Sequence, residues 1–259
     1  MAIATSTDQS FALLDAMDAG QLALEYQPIF DLAERRCIGV EALVRWDHPE
    51  RGRILPGEFL HLTRHRSIAD RLTGVVICKA LAQHRDWRNE GHVVPVSINI
   101  GPDGFVGPES VDLIEVALTQ YGVDPQLLTV EVTEEEADLL SDEITSRLVG
   151  LSHLGVRLSL DDFGTGHASL SRLKRWHFDE VKIDRSFVAN VCHDPTDREI
   201  VIFSVSLAHA LDMAVVAEGV SDEWAVALLA TAGVDCGQGF HLGRPAPPDQ
   251  LDLSALGLR

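Results

Sequence analysis

Short runs rich in Val, Ile and Leu recur along the chain, and stretches with helical spacing separate most of them. Eight such runs can be read: Leu22 to Phe30, Cys37 to Arg45, Val93 to Ile100, Leu127 to Val132, Val156 to Asp161, Glu180 to Ile183, Met213 to Ala217 and a short one near Asp235. Amphipathic stretches fall between them: Phe59 to Trp87, Ser110 to Tyr121, Glu136 to Leu154, Ser169 to Arg175, Ile200 to Leu211 and Glu223 to Ala232. The first twenty residues read as a leading helix. Parallel strands need a long crossover, so this alternation predicts an α/β fold. The 259 residues lie close to the ~250 of a single (β/α)8 barrel. The expectation is therefore one domain over residues 1–259, with its core at about 11–250 and the shape of a TIM-like barrel. Asp31 to Arg36 is too short for a helical crossover, so the first two strands should pair antiparallel.

Composition narrows the partners. With 21 Lys and Arg against 40 Asp and Glu the formal charge is -19, which disfavours binding to polymeric nucleic acid or to an anionic membrane. A polyanionic ligand would need metal ions or local arginines. Cys37, Cys78, Cys192 and Cys236 are widely spaced with no CxxC pair, against both a zinc knuckle and a disulfide framework. No run reaches the ~18 apolar residues of a membrane span, and the first residues lack a basic n-region and a long apolar h-region. A cytoplasmic location is the expectation.

Polar residues interrupt the strands at one consistent end. Glu41 and Arg45 lie in the second strand, Asn99 ends the third, Glu131 lies late in the fourth, and Asp161 with Asp162 end the fifth. Lys182 sits in the sixth, Glu218 follows the seventh and Gln238 follows the eighth. In a barrel those ends converge on the face where active sites are built. Carboxylates brought so close repel one another unless cations neutralise them, and oxygen ligands without thiolate or imidazole favour Mg2+ or Mn2+ over zinc. Adjacent Asp161 and Asp162 could serve two ions, a known device for in-line phosphodiester cleavage.

The strings EALVRW (Glu41 to Trp46), SINI with Asn99, EVTE (Glu131 to Glu134), DDFGTG (Asp161 to Gly166), VKID (Val181 to Asp184), AEGV (Ala217 to Val220) and QGF (Gln238 to Phe240) resemble, in order and spacing, the EAL family of cyclic di-GMP phosphodiesterases. YQP at Tyr26 to Pro28 is similar to that family's opening strand. The resemblance leaves no room in this chain for a GGDEF or sensor domain. It implies metal ligation by Glu41, Asn99, Glu131, Asp161 and Asp162, completed by Glu218 and Gln238. It further implies Lys182 and Glu218 in catalysis, with Gln27, Arg45 and Asp184 on the substrate. Glu134, Gly164 and Gly166 would support a loop from Asp161 to Leu170. The implied reaction opens cyclic di-GMP to linear pGpG with two Mg2+ or Mn2+ ions, Ca2+ inhibiting, in a homodimer.

Some positions depart from the family pattern. Ser221 stands where Glu usually follows AEGV, with Asp222 next along as a candidate replacement, and His167 and Ala168 alter the loop. These departures motivate a competing expectation, a receptor that binds cyclic di-GMP without turning it over, or a protein-interaction module.

Overall fold

The computed structural model describes residues 6–101, 109–134, 142–165 and 178–258. Strands β1 (Leu22–Asp31), β2 (Arg36–His48), β3 (Gly52–Ile54), β4 (Val96–Asn99), β5 (Leu128–Thr133), β6 (Arg157–Phe163), β7 (Glu180–Ile183), β8 (Ala214–Ala217) and β9 (Cys236–Gly237) form one sheet. Its order, β1-β9-β8-β7-β6-β5-β4-β2 with β1 again beside β2, closes a barrel of eight strands, and β3 is appended to β2. The TIM-like expectation holds. All pairings from β2 through β4 to β9 are parallel. Strand β1 runs antiparallel to both of its neighbours, along its whole length with β2 but over only two residue pairs with β9.

Helices α1 (Ser6–Asp18), α2 (Pro56–Phe59), α3 (Arg66–Asn89), α4 (Glu109–Tyr121), α5 (Asp142–Leu154), α6 (Arg185–Val188), α7 (Pro195–Ala210) and α8 (Glu223–Thr231) complete the description. Alternation of side chains explains why the barrel holds. Val130 and Val132, Leu158 and Leu160, Val181 and Ile183 are almost fully buried and belong to one apolar core with Ile77 and Leu81 of α3, Ile114 of α4 and Leu151 of α5. The residues between them, Glu131, Ser159 and Lys182, turn to the opposite face of the sheet, which is the barrel interior.

Three local differences from the sequence reading have physical causes. The helix expected from Phe59 to Trp87 is broken: α2 and a 3-10 turn (Leu60–Arg64) precede His65, whose extended backbone (ψ 121°) starts α3 by accepting from Ile68 N and Ala69 N. The third strand starts at Val96 rather than Val93, because Pro95 has no N–H to give the ladder; its carbonyl accepts from Val40 N at 2.9 Å. Strand β3 was not expected, being three residues paired to the end of β2, Asp47 opposite Arg53. The stretch Ser169 to Arg175, together with Gly166, His167 and Ala168, lies outside the described residues.

Candidate active site

Lys182 is fully buried at the mouth of the barrel, where the parallel strands end. Its Nζ lies 2.6 Å from Glu218 Oε1, 2.9 Å from Glu131 Oε2, and 3.5 Å from both Glu41 Oε2 and Asp161 Oδ1. Three strands, β2, β5 and β6, and the turn after β8 thus deliver four carboxylates to one ammonium. Burial alone would strip the proton from Lys182, but the surrounding acids outweigh it and hold its pKa well above the ordinary lysine value. The acids divide. Burial pushes Glu131 up strongly, aided by its neighbours Glu41 and Asp161 and only partly offset by Lys182. Glu41 suffers the same burial, yet Lys182 and hydrogen bonds from Gln238 and Asn99 bring it below the usual range. Glu218 is pushed to about 7, first by burial and then by Asp161 and Glu41 against the pull of Lys182.

Two amides orient Glu41. Asn99 Nδ2, at the rim, donates to Oε1 at 2.6 Å, and Gln238 Nε2 donates to Oε2 at 2.6 Å. Gln238 also donates to Gln27 Oε1 at 3.0 Å, and Gln27 Nε2 donates to the Gly243 carbonyl at 2.9 Å. The strand opposite, β1, is thereby stitched to the site: Gln27 faces Glu41 across the hairpin.

A regular strand would send Asp161 and Asp162 to opposite faces. Here the β6–β7 register shifts between Leu160 and Phe163, and Asp162 adopts φ +55°, a left-handed conformation uncommon outside glycine. Asp161, Asp162 and Glu218 consequently each bring a carboxylate oxygen within 4.8 Å of the others. Burial, then the charges of Asp161 and Asp184, raise Asp162 to about 6. The turn is braced from β5, since Glu134 Oε2 accepts from Gly164 N at 2.8 Å. Gly164 has φ +100°, and a Cβ there would sit 2.7 Å from the Phe187 ring, so no other residue fits without displacing it.

The set fits a hard divalent ion. Every candidate ligand is oxygen, from Glu41, Asn99, Glu131, Asp161, Asp162, Glu218 or Gln238. Glu131 Oε1 and Gln238 Oε1 are both buried without a hydrogen-bond partner, each costly in a polar pocket unless something binds it.

The hydrogen bonds of Arg45 lie outside this cluster, whereas Asp184 shares one with Asp162. Arg45 is buried, its Nε donating to Glu25 Oε2 at 2.8 Å. Asp184 caps α6, accepting from Ser186 N at 3.0 Å and from the Ser186 hydroxyl; burial opposes its ionisation but these bonds keep it low. Asp222 does not replace the acid missing at Ser221: it caps α8, accepting from Ala225 N at 2.9 Å and from Ser221 Oγ at 3.1 Å. A cavity of about 430 Å³ opens beside the acids, with Leu43, Val44, Leu60 and Val76 among its apolar walls and Asn99 and Glu131 at its polar end. Sequence reasoning missed Glu25; the signal was its place two residues before Gln27, on the same face of β1.

The chain is similar to known proteins over most of its length. The model of the EAL domain matches residues 11–245. The bifunctional diguanylate cyclase/cyclic di-GMP phosphodiesterase MucR of Pseudomonas aeruginosa is 40% identical over 240 residues, 92% of this chain and 35% of its own length. The cyclic di-GMP phosphodiesterase NbdA of the same organism is 36% identical over 241 residues, 93% of this chain and 31% of its own length. The chain thus spans about a third of these relatives. A solved structure described as the PaMucR phosphodiesterase in complex with c-di-GMP superposes with a TM-score of 0.88 at 39% identity, covering 93% of this chain and 98% of the other.

Proposed function

The chain belongs to the EAL-domain family, and on that premise we propose that it hydrolyses cyclic di-GMP to linear pGpG. The observation that carries this reading is the burial of Lys182 among four carboxylates at the barrel mouth, with a fifth, Asp162, turned toward them by a left-handed residue. The relatives named as cyclic di-GMP phosphodiesterases, and the MucR structure with that nucleotide bound, support the choice of substrate.

Mg2+ or Mn2+, two ions held by Glu41, Asn99, Glu131, Asp161 and Asp162 and completed by Glu218 and Gln238, would supply Lewis acidity and an activated water. The protein's own groups do the rest. Lys182, charged because its neighbours demand it, orients the attacking water and offsets the charge gathering on the phosphoryl oxygens. Glu218, poised near neutrality, accepts a proton from that water. Arg45 holds a phosphate, the cavity beside Asn99 takes a planar base against Leu43, Val44 and Val76, and Gln27 meets the nucleotide across the mouth. Ca2+ should permit binding and block turnover, because its looser coordination positions the water poorly.

A second reading has its own observation. Asp222 is committed to the α8 cap, so the acid that Ser221 lacks is not restored, and a receptor that binds without cleaving follows if that acid is indispensable. Incubation with cyclic di-GMP and Mg2+ or Mn2+, followed by chromatographic separation of nucleotides, decides between them. Formation of pGpG by the wild type but not by Glu41→Ala establishes the enzyme; stoichiometric binding with intact nucleotide recovered establishes the receptor.

A further inference from the structure

The guanidinium of Arg45 ends a row of alternating charges. Its Nε donates to Glu25 Oε2 at 2.8 Å and its Nη1 to the Val44 carbonyl at 3.0 Å. The other oxygen of Glu25 accepts from Arg53 Nη1 at 2.5 Å, and Arg53 in turn donates through Nε to Asp47 at 2.8 Å and through Nη2 at 3.2 Å. Side-chain exposure falls steadily along the row: Asp47 48%, Arg53 40%, Glu25 14%, Arg45 8%. The ladder explains the convergence. In the β1–β2 register Ala23 is opposite Arg45, Glu25 opposite Leu43 and Gln27 opposite Glu41, so Glu25 shares a face with the site residues. Strand β3 contributes Arg53 by pairing it with Asp47.

We propose that Glu25 is the positioning residue for Arg45, with the β3 hairpin as its buttress. One carboxylate divides its two oxygens between two arginines, fixing Arg45 through Nε while the Val44 carbonyl holds Nη1, which leaves Nη2 for a phosphate oxygen of the nucleotide. This rests on Arg45 being the phosphate-binding residue of the proposed reaction. An ionised Glu25 also repels an incoming phosphate, but its charge is already spread over two guanidiniums. A long side chain held in one rotamer gives up less entropy on binding than a free one.

The test compares wild type with Glu25→Ala, Glu25→Gln, Arg53→Ala, Arg45→Ala and the double variant Glu25→Ala/Arg45→Ala. Steady-state rates are measured with Mg2+, and cyclic di-GMP affinity with Ca2+. Glu25→Ala is expected to raise KM and Kd about tenfold while kcat stays within about twofold. Glu25→Gln, which keeps an oxygen acceptor, recovers part of that loss, and Arg53→Ala costs about two- to threefold. In the double variant, removing Arg45 adds little beyond Glu25→Ala, a coupling that a merely structural role would not produce. Unchanged KM, a lower KM from relieved repulsion, or additive effects would overturn the proposal. Melting curves accompany each variant; should Glu25→Ala unfold, Glu25→Gln and Arg53→Ala carry the same test. A wild type that neither binds nor cleaves the nucleotide defeats the proposed function and this inference with it. An active wild type with unaltered variants defeats only the positioning role.

Discussion

Acids sit at both ends of the barrel strands, and they do opposite things. Where strands begin, Asp179 Oδ2 accepts from Leu158 N and Asp235 Oδ2 from Val215 N, each at 2.8 Å, tying the start of one strand to its neighbour; Asp235 also meets His209 Nε2 at 2.9 Å. These carboxylates face backbone donors. Where strands end, Glu41, Glu131, Asp161 and Glu218 face one another around a single lysine, and Glu131 keeps a buried oxygen with no donor at all. The first arrangement satisfies the fold by itself. The second leaves acids that must keep a proton or meet a further cation, which is how an arrangement proposed to bind differs from one built to hold.

The contrast can be broken most decisively at Lys182. Lys182→Ala should lower turnover at least about a thousandfold while circular dichroism stays native, since the group proposed to orient the water is gone. A rate near wild type would place the mouth acids on the same footing as the strand-start acids. The next largest effect concerns protons. Glu218 and Asp162 are raised to about 7 and about 6 by burial and neighbouring carboxylates, so below those values each carries a proton that an incoming ion must displace. Mn2+ affinity measured by calorimetry should therefore fall about tenfold or more between pH 8 and pH 6, with proton release on binding at the lower pH. A flat profile would show that neither carboxylate is a ligand. The smallest effect belongs to the other end: Asp235→Ala should cost about 1–2 kcal/mol in chemical denaturation, with kcat/KM within about twofold. A large loss of activity there would erase the distinction between the two ends.

Much of the mouth was legible because apolar alternation isolates its polar members. In VKI and VEV the flanking residues are committed to the helix-facing core, so the residue between them has only the barrel interior to enter. The same logic does not reach Asp162, since period two sends it away from the site; it is the left-handed turn that brings it back. Nor does it reach β3, whose Gly52–Ile54 carries no alternation, or the break before α3, which depends on one extended residue. Glu25 shows a different limit. Its partners lie 20 and 28 residues away, and only the hairpin register places them beside it. Asp222 could be read as a replacement acid or as a cap, and the choice rests on a side-chain direction that sequence does not specify.

The reversed strand has a consequence for how the molecule opens. Between β1 and β9 the ladder is two residue pairs, reinforced by the bridge from Tyr26 to Ala246, whereas β1 and β2 pair over their whole length. That join, like the two-pair β8–β9 ladder beside it, is a thin seam of the barrel, and amide hydrogens along it should exchange through local opening before those of the longer ladders from β2 through β4 to β8. The side chains crossing it are Gln238 and Gln27. An occupant of the mouth that engages both would fasten the seam, so slowed exchange at Phe30, Asp31 and Gly237 would report occupancy from outside the chemistry.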